Sequence, residues 1–229
     1  MREIVLDTET TGFEPGEGDR IVEIGAVELL NHMPTGRVYH QYINPERSMP
    51  QGAFEVHGLG DEFLRDKPVF KRIGQEFLDF VQDATMVIHN ASFDMKFLNA
   101  ELGWAGLPLL PNSQALDTLT IARKKFPGSP ASLDALCRRF GVDNSSREKH
   151  GALLDSEILA EVYLELIGGR QPDLVLAGDK PGASAANEGT AWRATARPNP
   201  LPSRLSDEER AAHQAFVDKM GDAALWKTL

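Results

Sequence analysis

The 229 residues carry 24 Lys and Arg against 34 Asp and Glu, a formal net charge of −10, with 41% hydrophobic and 25% charged residues. That balance describes a soluble globular chain long enough for one sizeable core plus an appendage. It argues against a protein that grips nucleic acid by bulk positive charge, but not against an acidic centre that holds metal. The single cysteine, Cys137, rules out an internal disulfide framework and suits a reducing compartment. No run is long and apolar enough to span a membrane and the N-terminus lacks a signal pattern, so a cytoplasmic protein is expected.

In chain order, residues 3–8 read as a buried strand whose three apolar residues, Ile4-Val5-Leu6, lead into Asp7 and Glu9. Side chains two apart on a strand share a face. These two carboxylates would therefore stand together and repel, which a bound cation would relieve. Residues 10–18, with Pro15 and Gly16, read as a turn. Residues 21–29 and 38–43 read as a second and a third strand around a hairpin loop at 31–36, an antiparallel opening. Residues 50–60, a loop or short helix, contain His57. Pro68 is expected at the first position of a helix that carries Val69, Phe70, Ile73, Phe77, Phe80 and Val81 at helical spacing.

Residues 85–89 read as a short buried strand, and 93–102 and 116–124 as helices. Ser132 is the expected N-cap and Gly141 the C-terminal glycine of the next helix, which places Cys137 on an apolar face with Leu133, Leu136 and Phe140. A last helix over 152–167 turns Leu159, Val162, Tyr163 and Leu166 inward and ends at Gly168-Gly169. From 177 to 204 the composition shifts to Ala, Gly, Pro, Asn and Ser, a flexible linker unable to bury enough surface to fold alone. At Ser206, a capping box with Glu209 opens a terminal segment bearing Phe216, Val217, Met220, Leu225, Trp226 and Leu229. No internal repeat is evident.

Two more acids stand out. Asp94 falls in a first helical turn, where, taken alone, it reads first as a helix-dipole partner. Asp155 precedes Leu159 by four and Val162 by seven, so it lies on the apolar face of its helix, where a carboxylate is costly unless paired or metal-bound. Residues five apart on a helix diverge by roughly 140°, so His150 shares a site with Asp155 only from the loop ahead of the helix, a break that Gly151 permits. Asp7, Glu9, Asp94 and Asp155 are hard oxygen donors suited to Mg²⁺ or Mn²⁺ rather than zinc. Two such ions clamp the attacking and leaving oxygens in phosphodiester hydrolysis, and a nearby histidine can take the proton of the attacking water.

Asp-x-Glu-Thr-Thr-Gly at 7–12, His-Asn-Ala-x-Phe-Asp at 89–94 and His-x4-Asp at 150–155 resemble the three motifs of the DEDDh 3′→5′ exonucleases, in order across residues 3–168. Within that family the chain is most similar to the proofreading (epsilon-type) subunits of bacterial replicative DNA polymerases. It shares with them Val56-His57-Gly58-Leu59, Asp61-Glu62-Phe63-Leu64 and Lys67-Pro68. The resemblance implies a ribonuclease H-like α/β fold, a mixed five-stranded sheet flanked by helices, with a flexible C-terminal tail. It implies two divalent cations, Mg²⁺ or Mn²⁺, held by Asp7, Glu9, Asp94 and Asp155, with Asp7 bridging both. His150 would be the general base. Thr8 and the backbone near Thr10-Thr11-Gly12 would line the pocket for the 3′-terminal nucleotide, and Glu9 and Asp155 border it. His57 would either approach that nucleotide or fix its own loop. Where many relatives carry an acid five residues before this histidine, the chain has Gly52. Phe93 reads as core rather than a wedge between bases, and Asp117 as a helix cap.

The resemblance divides the chain into an exonuclease domain over 1–169, a clamp-binding motif and linker over 170–205, and a polymerase-docking segment over 206–229. Gln171, Leu174 and Leu176 resemble the short peptides that dock in the bacterial sliding clamp, a motif class with many false matches. The terminal segment could pack back on its own domain, but the resemblance implies that it docks instead on the polymerase catalytic (alpha) subunit. The implied substrate is a frayed or single-stranded DNA 3′ end, and the setting a nucleoid-associated replisome. Two alternatives stand beside this reading: a free-standing exonuclease of RNA or short oligonucleotides, and a non-catalytic adaptor on a degenerate nuclease fold.

Overall fold

The computed structural model describes residues 1–145, 149–168 and 205–221. The chain divides into two compact units, Met1–Val175 and Leu176–Leu229. The first is built on a five-stranded sheet in the order β3-β2-β1-β4-β5, formed by β1 (Arg2–Thr10), β2 (Ile21–Leu30), β3 (Met33–Tyr42), β4 (Thr85–Ile88) and β5 (Ala115–Asp117). β1 pairs antiparallel with β2, and β2 with β3. β1 to β4 and β4 to β5 are parallel. The sheet is mixed, as expected, and β1 is its middle strand.

Helices α1 (Gln51–His57), α2 (Asp61–Leu64), α3 (Phe70–Val81), α4 (Ala91–Ala105), α5 (Thr118–Lys125), α6 (Leu133–Phe140) and α7 (Ala152–Leu166) complete this unit. The pleat of β1 divides its residues between two cores. Ile4 and Leu6 join Ile24, Phe70, Phe77, Phe97 and Leu98 of β2, α3 and α4. Val5 joins Val27, Val87, Leu159 and Tyr163 of β2, β4 and α7. Each side chain of this size contributes about 1.5–3 kcal/mol when fully buried, so both faces of β1 are held. A third cluster gathers Ala122, Leu136, Cys137, Val162 and Leu166, and the buried cysteine is a packing residue. Tyr163 Oη donates to the fully buried Glu3 carboxylate at 2.6 Å, which fastens α7 to β1.

Three expectations need correction. Residues 31–36 are not a loop: the turn is only Asn31 and His32, both in the left-handed region with φ of 51° and 65°, and β3 already begins at Met33. This edge strand is exposed along its first half, so it lacks the apolar alternation that marks a strand, and an edge tolerates Pro34 and Gly36. Pro68 lies just before Val69, the N-cap of α3, not in the first turn. Leu116 belongs to β5 rather than to a helix, and Asp117 caps α5 from the strand's end.

In the second unit, α8 (Asp207–Lys219) opens with the expected capping box between Ser206 and Glu209. Val217 is buried while Phe216 and Met220 are exposed. Leu225, Trp226 and Leu229 lie outside the described residues, as does the linker over 177–204. No helix among the described residues is long and apolar enough to cross a membrane.

Candidate active site

The end of β1 meets the first turns of two helices. Asp7 and Glu9 share the face of Val5, toward α7, and Thr8 points the other way, toward α4. There Thr8 Oγ1 donates to Asp94 Oδ1 at 2.7 Å. Asp94 is only 3% exposed, and burial pushes its carboxyl up to about 7 against the opposing effect of the Thr8 hydrogen bond. A residue this buried is more than the surface helix-dipole partner that its position in the sequence allows.

The start of α4 is set by backbone geometry and by Asp117. Asn90, the N-cap of α4, adopts a left-handed conformation, φ 70° and ψ 51°. Its N–H donates to Asp117 Oδ1 at 3.0 Å, and the same oxygen accepts from Ala91 N at 3.4 Å and Leu119 N at 3.0 Å. Burial pushes the Asp117 carboxyl up, but these bonds and one from Thr120 Oγ1 outweigh it and hold it below the usual range. Asp117 is thus the helix cap expected from sequence, and it also ties α5 to the helix that carries Asp94.

The start of α7 has no side-chain cap. It is placed by contact with β2. Gly25, the partner of Asp7 across the ladder, lies so close to α7 that a Cβ on it would collide with the backbone of Ala152 and Leu153. Ser156 Oγ donates to Gly25 O at 2.9 Å. His150 sits on the loop ahead of α7, as the 140° argument requires, and its N–H donates to Val56 O in α1 at 3.3 Å. Its Nδ1 lies 3.5 Å from Asp155 Oδ2.

Ligand atoms of Glu9, His150 and Asp155 all lie within 4.8 Å of one another. Asp7 and Asp94 line the same cavity, whose volume is about 660 Å³. Two carboxylates and an imidazole converging beside two further acids, one of them deeply buried, form an oxygen-rich set that fits a hard divalent cation.

A second cavity, about 630 Å³, shares Thr8, Glu9 and Phe93 with the first and is lined by Thr10-Thr11-Gly12, Phe13, Gly52 and His57. Its Thr10–Gly12 turn is fixed by residues that motif reading does not reach. The buried Glu101 accepts two bonds from Arg20 at 2.8 Å and one from Ile21 N at 3.1 Å, and Arg20 N donates to Thr11 Oγ1 at 3.0 Å. His57 Nδ1 accepts from Leu59 N at 3.0 Å, the loop-fixing bond, while the ring also borders the cavity. Burial pushes the His57 pKa down against a raising contact with the Thr10 backbone, and the nearby Lys149 and His150 push it further down, so the ring is neutral. Phe93 is half-buried on the core and lines both cavities, a wider role than core packing. Gln171, Leu174 and Leu176 lie outside the described residues.

An exonuclease family model matches residues 4–163. A DNA polymerase III subunit epsilon from Rickettsia felis is 59% identical over 174 residues, covering 75% of this chain and 76% of that protein. The subunit of the same name from Escherichia coli K12 is 44% identical over 237 residues, covering 99% and 97%. Among solved structures, exonuclease X in complex with 5′-overhanging duplex DNA superposes with a TM-score of 0.56 at 24% identity, covering 72% of this chain and 90% of that one. The nuclease domain of 3′hExo, a DEDDh family member bound to rAMP, gives 0.62 at 18% identity, with 72% and 91% coverage; at these identities the two structures bear on the fold.

Proposed function

The chain belongs to the DEDDh exonuclease family, among relatives named DNA polymerase III subunit epsilon, and from that premise we propose how its own residues carry out 3′→5′ proofreading of DNA. It is a metal-dependent exonuclease, and its setting is a polymerase holoenzyme acting on DNA. The observation that carries the assignment of residues is the convergence of Glu9, His150 and Asp155 within 4.8 Å in the cavity that also holds Asp7 and Asp94.

Asp7, Glu9, Asp94 and Asp155 would hold two divalent cations, Mg²⁺ or Mn²⁺. When bound, these supply the positive charge that stabilises the phosphorane-like transition state and acidify the attacking water. His150 accepts that water's proton at Nε2, with Nδ1 turned toward the Asp155 carboxylate, which orients the ring. Thr8 holds Asp94 in place through its hydroxyl. The new P–O bond forms as the bond to the upstream 3′ oxygen breaks, so the terminal nucleotide leaves as a 5′-monophosphate. The Thr10–Gly12 turn, with Thr8, Glu9 and Asp155, takes that nucleotide. The neutral His57 closes the cavity from α1 and fixes its own loop at the same time. A mispaired end reaches the site more readily because it unpairs at lower cost.

The residue roles are tested by Mn²⁺ titration calorimetry of the full chain. Wild type is expected to bind Mn²⁺, and Asp7→Asn and Asp155→Asn to bind it at least tenfold more weakly while unfolding cooperatively. Equal affinity in all three would remove these acids from the ligand set.

The tail reading belongs to the same proposal. Residues 1–169 act as the exonuclease. Gln171, Leu174 and Leu176 form a clamp-binding motif at the start of a linker over 170–205, and residues 206–229 dock on the polymerase alpha subunit. The exposed Phe216 and Met220 of α8 supply apolar surface for that contact. A weak clamp motif is sufficient because the other contacts raise its effective concentration. Replacement of Gln171 and Leu176 by Ala should weaken co-elution with a sliding clamp, and unchanged co-elution would remove the motif. Of the alternatives, full-length similarity to epsilon subunits favours the replicative reading over a free-standing enzyme, and the converging site residues oppose a degenerate adaptor.

A further inference from the structure

The cavity that holds the catalytic acids extends well beyond them. It runs past His89 and Asn90 and across Arg123, Ser129 and Ser132, between α5 and the start of α6. It meets the second cavity along Thr8, Glu9 and Phe93, which line both. The site is therefore a ridge with a compartment on each side. On the exonuclease reading, on which this inference rests, the compartment beside the Thr10–Gly12 turn takes the terminal nucleotide. The scissile phosphate lies over the acids, and the other compartment is left for the strand that is kept.

That strand brings a negative charge with every phosphate into a protein of net charge −10. Arg123 is the one Lys or Arg among the described residues lining either cavity. It lies in the last turn of α5 and is exposed. Among the described residues no ion pair engages it, whereas Asp134, the acid across the same compartment, accepts a hydrogen bond from Asn144 Nδ2 at 3.0 Å. Burial first, and the Arg123 charge in smaller part, hold the pKa of the half-buried His89 in the wall below the usual range. A guanidinium presents a planar fork of donors that matches phosphate oxygens, and the Ser129 and Ser132 hydroxyls beside it add neutral donors.

We propose that Arg123 binds a backbone phosphate of the retained strand, 5′ to the scissile linkage, and that the arm of the cavity lined by Asn90, Arg123, Ser129 and Ser132 is the path by which single-stranded DNA enters the active site. Such a contact reads no sequence, which suits an enzyme that must accept any 3′ end. Its effect falls on KM rather than on the bond-breaking step.

Two substrates separate this role from a structural one. A short single-stranded oligonucleotide fills both compartments. The p-nitrophenyl ester of thymidine 5′-monophosphate has the terminal nucleotide but no strand. In the full-length protein, Arg123→Ala should raise KM for the oligonucleotide roughly tenfold more than it alters kcat/KM for the ester, as loss of one charge-assisted bond implies. Arg123→Lys should recover part of the loss. The slope of log KM against log salt should fall by about 0.7, the value for one phosphate contact on a single strand. An oligonucleotide KM within twofold of wild type, or parallel losses on both substrates, would overturn the inference. Wild type inactive on both substrates would instead overturn the exonuclease reading, and this inference with it.

Discussion

Gly25 holds the two halves of the acidic centre in register, and replacing it with alanine should separate them. It faces Asp7 across the β1–β2 ladder. A Cβ at this position would lie at least 1 Å closer to Ala152 C, Ala152 O and Leu153 N than the 3.4 Å at which ordinary contact begins. All three are backbone atoms, so no side chain can turn aside. Either β2 or the first turn of α7 must move by roughly 1 Å, and α7 carries Asp155 with it. Overpacking of this kind costs about 1–3 kcal/mol, and the Ser156–Gly25 hydrogen bond is strained as well. A shift of 1 Å in a catalytic group can cost about 10²-fold in rate. Gly25→Ala is therefore expected to lower kcat on single-stranded DNA about a hundredfold and to reduce Tm by several degrees while unfolding cooperatively. Gly103→Ala, on the exposed side of α4 outside both cavities, where a Cβ would meet only Leu109 at an ordinary 3.8 Å, serves as the control and should retain activity within about twofold, since surface changes away from such contacts are near neutral. A Gly25→Ala protein with near-wild-type kcat and Tm would refute the reasoning.

Asp94, pushed up to about 7 by burial, favours the fold of the metal-free protein when protonated. That stability is complete below the ordinary Asp range and is lost as pH rises through about 7, a change on the order of 4 kcal/mol. Urea midpoints in chelator should accordingly fall between about pH 4 and 7 for wild type and level off above that, and fall less for Asp94→Asn, and Mg²⁺ should restore wild type at the higher pH; identical pH profiles would contradict this. For Asp117 the sign is opposite. Its carboxyl lies below the usual range, so its contribution is full above the unfolded value and is lost as pH falls through the lowered one. Asp117→Ala should cost about 1–3 kcal/mol at neutral pH, from the lost cap and the unpaired Asn90 and Ala91 N–H groups, with the gap closing in acid. It should also lower kcat by loosening the start of α4; an effect on stability alone would detach it from the site.

The strands β1, β2 and β4 and the helices α3, α4, α6 and α7 are legible because each carries an apolar pattern of its own period. That Asp7, Glu9, Asp94, Asp155 and His150 line one cavity is legible because motif spacing and the cost of a buried carboxylate point to the same residues. The missed features have weak local signals. β5 is three residues long, too short for alternation to show, and β3 starts on an exposed edge where Pro34 is no obstacle. Gly25 interrupts the run Ile21-Val22-Glu23-Ile24, and a glycine inside a strand marks close backbone approach, but the sequence does not say what approaches. Arg20 and Glu101 meet across 81 positions, and Arg123 reaches the active cavity only through the packing of α5 against α6 and α7. Such long-range placement leaves no trace in spacing.

The central claim is that Asp7, Glu9, Asp94, Asp155 and His150 form one hydrolytic centre for DNA 3′ ends. A primer labelled at a mispaired 3′ nucleotide, incubated with the full chain and Mg²⁺, tests it most directly. Wild type is expected to release the label as the nucleoside 5′-monophosphate, faster than from a paired end. Asp7→Asn and His150→Ala, shown to be folded by their unfolding transitions, should lose at least about 10²-fold in rate, the scale of a lost acid–base or charge-stabilising group. No release by wild type, or full release by folded Asp7→Asn, would contradict the account.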